Sequence, residues 1–373
     1  MKIGYEAKRV FHNKTGLGNY SRDLIRILSH YFPQNQYYLY NPKPAKEALF
    51  VSDAQNVQEK LPKSAFSKIF YNFWRQKNIV SDLQNDQIQL FHGLSGEIPQ
   101  GLRKANIPSC VTIHDLIFLR YPQFYKKIEA KISEYKFRKA AKNADVVIAI
   151  SEQTKRDVID FFQIAPEKIK VIYQGCRAEF KVQVSQEFKE KVVEKYQIPQ
   201  NFLLYVGTIE ARKNALAILK AITDTDLNLV LLGGETPYAA QIKAYIAEKN
   251  LHKQVFFLKN VNSQDLAALY QQAQMLIYPS FFEGFGIPII EALYAKTPVI
   301  TSQGGVFPEA GGADSFYIDP HNVQDLKSKI LYILENPTEV RARVERSWHY
   351  AQRFNDEVIA AEMHNLYTQM LQK

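Results

Sequence analysis

The feature that most constrains this chain is an alternation that runs almost its whole length. Short apolar runs are each followed by a longer amphipathic run, the pattern of βα units feeding a parallel sheet. The first half reads as strands at KIGYEA, YYLYN, LFHG, PSCVTIHD, DVVIAIS and IKVIYQG. Helices are expected between them at Asn19–His30, Lys126–Lys142 and Ser151–Phe162, the last with Ser151 as its N-cap. A charged stretch from Arg177 to Ile198, closed by Pro199, reads as a connector. The pattern then restarts, with strands at NFLLYVGT, NLVLLGG, QVFFLKN, AQMLIYPS, TPVITSQ and SFYIDP. Helices at Asn214–Thr223, Tyr238–Lys249, Ser263–Gln272, Ile287–Ala295 and Val323–Asn336 separate these strands.

The chain has 373 residues, and a domain typically takes ~100–200. Two doubly wound α/β domains are therefore expected, residues 1–180 and 181–354. The helical tail 355–373 is free to return to the first. The first ten residues lack the apolar core of a signal peptide, and no run of ~18 apolar residues offers a membrane span. A soluble, cytoplasmic chain is expected. Cys110 and Cys176 have no CxxC or His-rich surroundings and read as core thiols.

The net charge of +9 is unevenly spread: residues 1–181 hold 29 basic and 17 acidic side chains, the remainder 18 and 21. A basic first half suggests an anionic partner, a nucleic acid or an anionic membrane surface. No nucleic-acid-binding motif accompanies the charge, so no nucleic acid is expected. Plain solvation of helices such as YKKIEAKISEYKFRKAAK explains the charge equally well.

In doubly wound sheets ligands bind beyond the C-terminal ends of strands, so the residues after each strand are the candidates. After the first strand, HNKTGLGNYSRDL offers Gly16 and Gly18 before a helix start, either as an anion loop or as an ordinary turn. His114 and Asp115 end a later strand, where they either cap it or act on a substrate hydroxyl or proton. In GTIEARKNALAIL a strand stops at Gly207, Arg212 and Lys213 project from the loop, and Asn214 is expected to cap the next helix. Two cations beside a helix start suit a diphosphate; a solvated basic turn is the alternative.

SFFEGFGIPIIEALYAK adds two carboxylates. Pro288 fits the first turn of a helix, leaving Glu283 in the loop and Glu291 about one turn inside. A carboxylate beside phosphate repels it, whereas one aimed at vicinal hydroxyls accepts two hydrogen bonds. Backbone amides at Gly284, Phe285 and Gly286 are then available to the anion, each acid to a sugar ring, and Arg212 with Lys213 to the diphosphate. A nucleotide sugar has those parts.

The E-x7-E pair Glu283 and Glu291, the G-T-x-E-x-R-K-N segment, T-x-H-D and the N-terminal G-x-G, in that arrangement over nearly the whole chain, resemble retaining glycosyltransferases of family four. The resemblance implies the GT-B fold: two Rossmann-like domains facing across a cleft that holds the active site. It implies that Glu291 holds ribose hydroxyls and Glu283 hydroxyls of the donor sugar. Backbone at Phe285, Gly286 and Ile287 would touch sugar and phosphate, and Arg212 and Lys213 would neutralise the diphosphate. By the same resemblance His114 contacts the donor sugar, the Gly16–Gly18 loop lies near the reaction centre, and the strand end through Lys259, Asn260 and Val261 meets the base. No metal and no cofactor are implied, and retention would follow a front-face route in which the departing phosphate helps deprotonate the acceptor.

The segments HDLIFLRYPQFY and TIEARKN look like those of bacterial mannosyltransferases of polysaccharide assembly. They imply GDP-mannose as donor and a saccharide or lipid-linked acceptor, with peripheral contact at an anionic membrane. A UDP-sugar donor and a nucleotide-sugar epimerase remain the alternatives.

Overall fold

Apolar runs with no polar face must be covered on both sides, and the central strands of both sheets meet this condition. The computed structural model describes residues 1–372. It divides into unit 1, Met1–Gln174 with the chain from Asn355 on, and unit 2, Gly175–Phe354.

Unit 1 carries seven parallel strands: β1 Lys2–Glu6, β2 Gln36–Tyr40, β3 Val57–Lys60, β4 Leu90–Gly93, β5 Ser109–Ile113, β6 Val146–Ala149 and β7 Ile169–Val171. Their order across the sheet is β3-β2-β1-β4-β5-β6-β7, so the winding reverses between β1 and β4. Every residue of β4 and β5 is buried.

The helix Asp356–Leu371 belongs to unit 1. It lays Ile359, Met363 and Tyr367 against Ile3, Tyr5, Leu24 and Leu28. Each fully buried aliphatic side chain contributes roughly 1.5–3 kcal/mol, and an Arg26–Asp356 ion pair of 2.6 Å adds to the docking. A buried chain of hydroxyls and imidazole ties the helix to the sheet. Tyr367 OH lies 2.7 Å from His92 Nδ1, and His92 Nε2 lies 2.8 Å from Thr112 Oγ1.

Unit 2 carries β8 Leu203–Val206, β9 Leu229–Leu232, β10 Val255–Leu258, β11 Met275–Tyr278, β12 Val299–Ser302 and β13 Phe316–Ile318. All pair in parallel, in the order β10-β9-β8-β11-β12-β13. Its winding reverses between β8 and β11. The loops after these two strands converge there, as open α/β sheets require.

Several elements differ from the sequence reading. The first long helix is Gly16–Tyr31, so Gly16 and Gly18 form its first turn and not a preceding loop. Gly18 is needed for space, since a Cβ there would sit 1.9 Å from the Asn13 carbonyl oxygen. Strand β3, VQEK, was not expected; it lies at the sheet edge, is half exposed, and has no apolar pattern to betray it. Between β3 and β4 the chain forms short helices around a π-helical turn, Trp74–Asn78. Asn214 does not cap its helix: it adopts a left-handed φ of 56°, and its amide instead donates to the carbonyl oxygen of Pro320 at 2.8 Å.

Candidate active site

The site in unit 2 begins with two strand ends side by side. Beyond β8, Gly207 turns the chain with φ +154°, and a Cβ there would meet Lys213 at 3.1 Å. A 3-10 turn, Ala211–Lys213, then brings both cations to the mouth of β11. Gly233, after β9, must also be glycine, because a Cβ would lie 2.0 Å from the Gly207 oxygen. Phe281 N donates to Arg212 O at 2.9 Å, which joins the two loops through their backbones.

Side chains close the same junction. Arg212 Nη1 lies 2.9 Å from Glu283 Oε1, and Lys213 Nζ lies 3.2 Å from the same atom. Lys213 also donates to Tyr278 OH at 3.0 Å, and Arg212 Nη2 to Glu210 Oε1 at 2.6 Å. Arg212 further donates to the Phe282 carbonyl. Glu283 is therefore ion-paired with both of the cations that the sequence reading assigned to a diphosphate. A carboxylate this buried is held by opposite charge, because leaving it alone would cost several kcal/mol, roughly 3–5 when one partner of such a pair is removed. Burial alone would raise the Glu283 carboxyl, but Lys213 and Arg212 bring it down to about 2.

Glu291 is set differently. Gly286, at φ +117°, starts the helix Ile287–Tyr294 with Pro288 in its first turn, where the amides have no intrahelical acceptor. Glu291 stands one turn in and accepts from Tyr270 OH at 2.7 Å. Burial raises its carboxyl to about 7, against the opposing pull of the Tyr270 hydrogen bond and Arg177. Phe285 is buried and packs edge-on to Phe354 at 5.6 Å, so its ring is structural and only its backbone faces the loop. Asn260, with φ 55°, and Val261 follow β10, next to Lys259, whose Nζ pairs with Glu235 at 2.7 Å.

The remaining candidates belong to unit 1. His114 follows β5, and its Nε2 donates to the Leu94 carbonyl at 2.9 Å while its ring meets Tyr20 edge-on at 4.6 Å. A carbonyl only accepts, so Nε2 carries the proton and Nδ1 is left as an acceptor. Burial lowers the ring from its ordinary 6.5 to about 4. His114 is a neutral acceptor at pH 7. Asp115 Oδ1 accepts from Ile117 N at 3.1 Å, a local turn just before the short helix Ile117–Arg120, whose N-cap is Leu116. The Gly16–Gly18 turn has one amide already used, since Asn13 Oδ1 accepts from Gly18 N at 3.0 Å.

Sequence reasoning missed Tyr278, Tyr270 and Glu210. Tyr278 was detectable as the polar-tipped last residue of an otherwise apolar strand. Tyr270 had no local signal, since its partner lies 21 residues on.

Two parallel Rossmann-like sheets, with convergent strand ends bearing cations and carboxylates, define a glycosyltransferase of the GT-B class. Residues 18–180 match the family described as "Glycosyltransferase Family 4" and residues 187–348 the one described as "Glycosyl transferases group 1", and the chain belongs to these glycosyltransferases. It is similar to O-antigen chain mannosyltransferase B of Escherichia coli, 24% identical over 388 residues, covering 98% of this chain and 99% of that one. The fold is like that of sucrose-phosphate synthase from Thermosynechococcus elongatus, with a TM-score of 0.80, 21% identity and 99% of each chain covered. It is also like Anabaena Alr3699/HepE in complex with UDP-glucose, with a TM-score of 0.76 and 18% identity over 99% of this chain and 100% of that one.

Proposed function

We propose that this glycosyltransferase moves mannose, with retention, from GDP-mannose to a saccharide or lipid-linked saccharide in cell-surface polysaccharide synthesis. The observation that carries the reading is the pairing of Arg212 and Lys213 on one buried carboxylate at the reversal of the unit 2 sheet. Mannose is favoured by the likeness to an O-antigen mannosyltransferase along the full chain.

In this reading the donor diphosphate takes the two cations, which are already oriented and need no reorganisation as negative charge builds on the leaving group. The amides at Gly284, Phe285, Gly286 and Ile287 assist. Glu283, ionised throughout the physiological range, accepts from donor-sugar hydroxyls. Glu291 accepts from the ribose, Asn260 and Val261 border the base, and His114 offers a neutral acceptor to a sugar hydroxyl. The departing phosphate serves as the base for the acceptor hydroxyl, and no protein nucleophile is assigned. A UDP-sugar donor is the second reading, favoured by the fold's likeness to a UDP-glucose complex.

Among the described residues no helix is long and apolar enough to cross a membrane. We assign the enzyme to the cytoplasm, touching an anionic membrane through an exposed ridge in unit 1 at Phe66, Ile69 and Phe70.

Calorimetric titration with GDP, UDP, GDP-mannose and UDP-glucose, without added metal, tests the donor assignment. GDP and GDP-mannose are expected to bind wild type and to bind Glu291→Ala and Arg212→Ala more weakly. Absence of binding by every nucleotide, or equal binding by both variants, overturns the site.

A further inference from the structure

The β4–β5 connection in unit 1, residues 94–108, contains only a single 3-10 turn, Arg103–Ala105, where a doubly wound sheet usually carries a covering helix. The gap leaves a groove of ≈ 640 Å³ between this connection and the helix Lys127–Asn143. Its lining runs along the helix from Lys131 to Asn143, about 18 Å at ~1.5 Å per residue.

The groove has a fixed inner end and a charged wall. At the inner end Arg75 bridges Glu6 at 2.6 Å and Glu97 at 2.9 Å, and Lys136 joins Glu97 at 3.4 Å. Arg75 and Glu6 are almost fully buried, and Glu6 Oε2 has no hydrogen-bond partner. The π-helical turn that carries Arg75 is itself an irregularity frequent at functional sites. Along the wall stand Lys131, Lys139 and, across from them, Arg103. None of the three has an ion pair among the described residues, while the nearby acid Glu134 is taken by Arg138 at 2.6 Å. Tyr135 and Ile132 lie between the lysines, 66% and 52% exposed.

We infer that this groove binds an anionic oligosaccharide, a sugar chain carrying carboxylate or phosphate groups, as the part of the acceptor remote from the hydroxyl that is glycosylated. The inference rests on the reading of the chain as a transferase with a saccharide acceptor. Three cations gathered without counter-charge favour an anion. Gln76, Gln100 and Asn143 supply the amides that pair with hydroxyls, and the exposed Tyr135 ring, with the Lys139 ammonium 5.6 Å from its centroid, adds an aromatic surface for sugar CH groups. A concave, amide-lined channel fits an extended chain better than it fits a flat bilayer.

The test titrates the full-length protein with tetragalacturonate, neutral maltotetraose, mannose 6-phosphate, inorganic phosphate and phosphatidylglycerol vesicles. Tetragalacturonate is expected to bind at least about tenfold more tightly than maltotetraose. The double variant Lys131→Glu/Lys139→Glu is expected to lose at least about tenfold in that binding and to keep wild-type GDP affinity. Mannose 6-phosphate outcompeting inorganic phosphate in a manner dependent on Lys131 and Lys139 identifies phosphate as the anion; its failure to compete leaves carboxylate. Equal binding of the neutral sugar, or an unchanged double variant, overturns the inference. So does lysine-dependent binding of vesicles without binding of tetragalacturonate. Loss of GDP binding in wild type with lysine-dependent saccharide binding intact refutes the donor reading and leaves the groove standing.

Discussion

A hydrogen bond of 2.7 Å runs from the Tyr270 hydroxyl to Glu291 Oε2. Burial keeps Tyr270 protonated well past its usual range, so the bond always points from phenol to carboxylate. It opposes the burial that raises Glu291 to about 7. One acidic oxygen is thus held by the protein, and in the proposed reading the other takes the ribose.

Nucleotide affinity is therefore expected to depend on pH through Glu291. A carboxylate accepts from two ribose hydroxyls, while a carboxylic acid must donate one hydrogen itself. With the group at about 7 in the free protein, GDP should bind more tightly at pH 8 than at pH 6. Below 7 the loss approaches about tenfold per pH unit. In Tyr270→Phe the midpoint should move up by about one to two units, since a hydrogen bond to a charged group contributes roughly 1.5–3 kcal/mol. In Glu291→Gln the dependence should flatten. Calorimetry across this range checks all three outcomes, and a flat wild-type profile would contradict the assignment.

Glu283 makes the opposite kind of prediction. Its carboxyl is lowered from 4.5 to about 2, so its stabilising effect is fully present above 4.5 and disappears as pH falls through 2. Glu283→Gln leaves Arg212 and Lys213 facing each other without their shared anion. Such a loss costs about 3–5 kcal/mol when the pair is buried. The melting temperature should fall, and GDP should raise it by more in the variant than in wild type, because the diphosphate replaces the missing charge. Equal GDP-induced shifts would mean that the diphosphate does not reach these cations.

Arg212→Ala and Lys213→Ala should each lower turnover by about 10²–10³, the usual effect of removing one preorganised donor from a site of developing charge. Single-turnover rates at saturating donor separate this from weaker binding. A variant that raised KM alone would remove that cation from leaving-group stabilisation.

The strands were legible because chemistry and geometry coincide in them. LLYV of β8 and VVIA of β6 are covered on both faces and so read as unbroken apolar runs. Edge strand β3 reads as loop because its VQEK residues are partly solvated. Arg212, Lys213 and Glu283 were singled out by loop position and residue type, and Glu291 by its place one turn inside an apolar helix. The contact between Arg212 and Glu283 joins residues 71 apart, and no local spacing encodes it. His114 was singled out too, but its titration depends on burial and on the Leu94 carbonyl, which only the fold supplies.

His92 and Tyr367 test the docking of the last helix. His92 is wholly buried, and burial lowers it to about 3. The unfolded chain takes up that proton near 6.5 and the folded chain only near 3, so this contribution to stability is present above 6.5 and is lost progressively as pH falls from 6.5 to about 3. Tyr367→Phe leaves His92 Nδ1 without its partner at 2.7 Å. A buried unsatisfied group costs about 1–3 kcal/mol, and urea denaturation at pH 7.5 should register that loss. An unchanged midpoint would mean that the chain of hydroxyls does not hold the helix.

The exposed ridge of unit 1 gives the last prediction. Ile69 is 71% exposed, and Phe66 and Phe70 are each 53% exposed. Phe66 and Ile69 stand on the short helix Ala65–Ile69, which also carries Lys68, and Phe70 follows at its end, with the Lys77 ammonium 5.6 Å from the Phe73 ring beyond it. Apolar side chains flanked by lysines suit an anionic interface, where burying each apolar group is worth roughly 1.5–3 kcal/mol and each nearby lysine about 1 kcal/mol. Ile69→Ser/Phe70→Ser should therefore lower co-sedimentation with phosphatidylglycerol vesicles by at least about a hundredfold in partition coefficient. High salt should weaken the wild-type interaction without abolishing it, because screening reaches the lysines and leaves the apolar part. Complete loss of wild-type binding at high salt, with the double variant sedimenting as wild type does, would assign the contact to charge alone and remove the ridge from it.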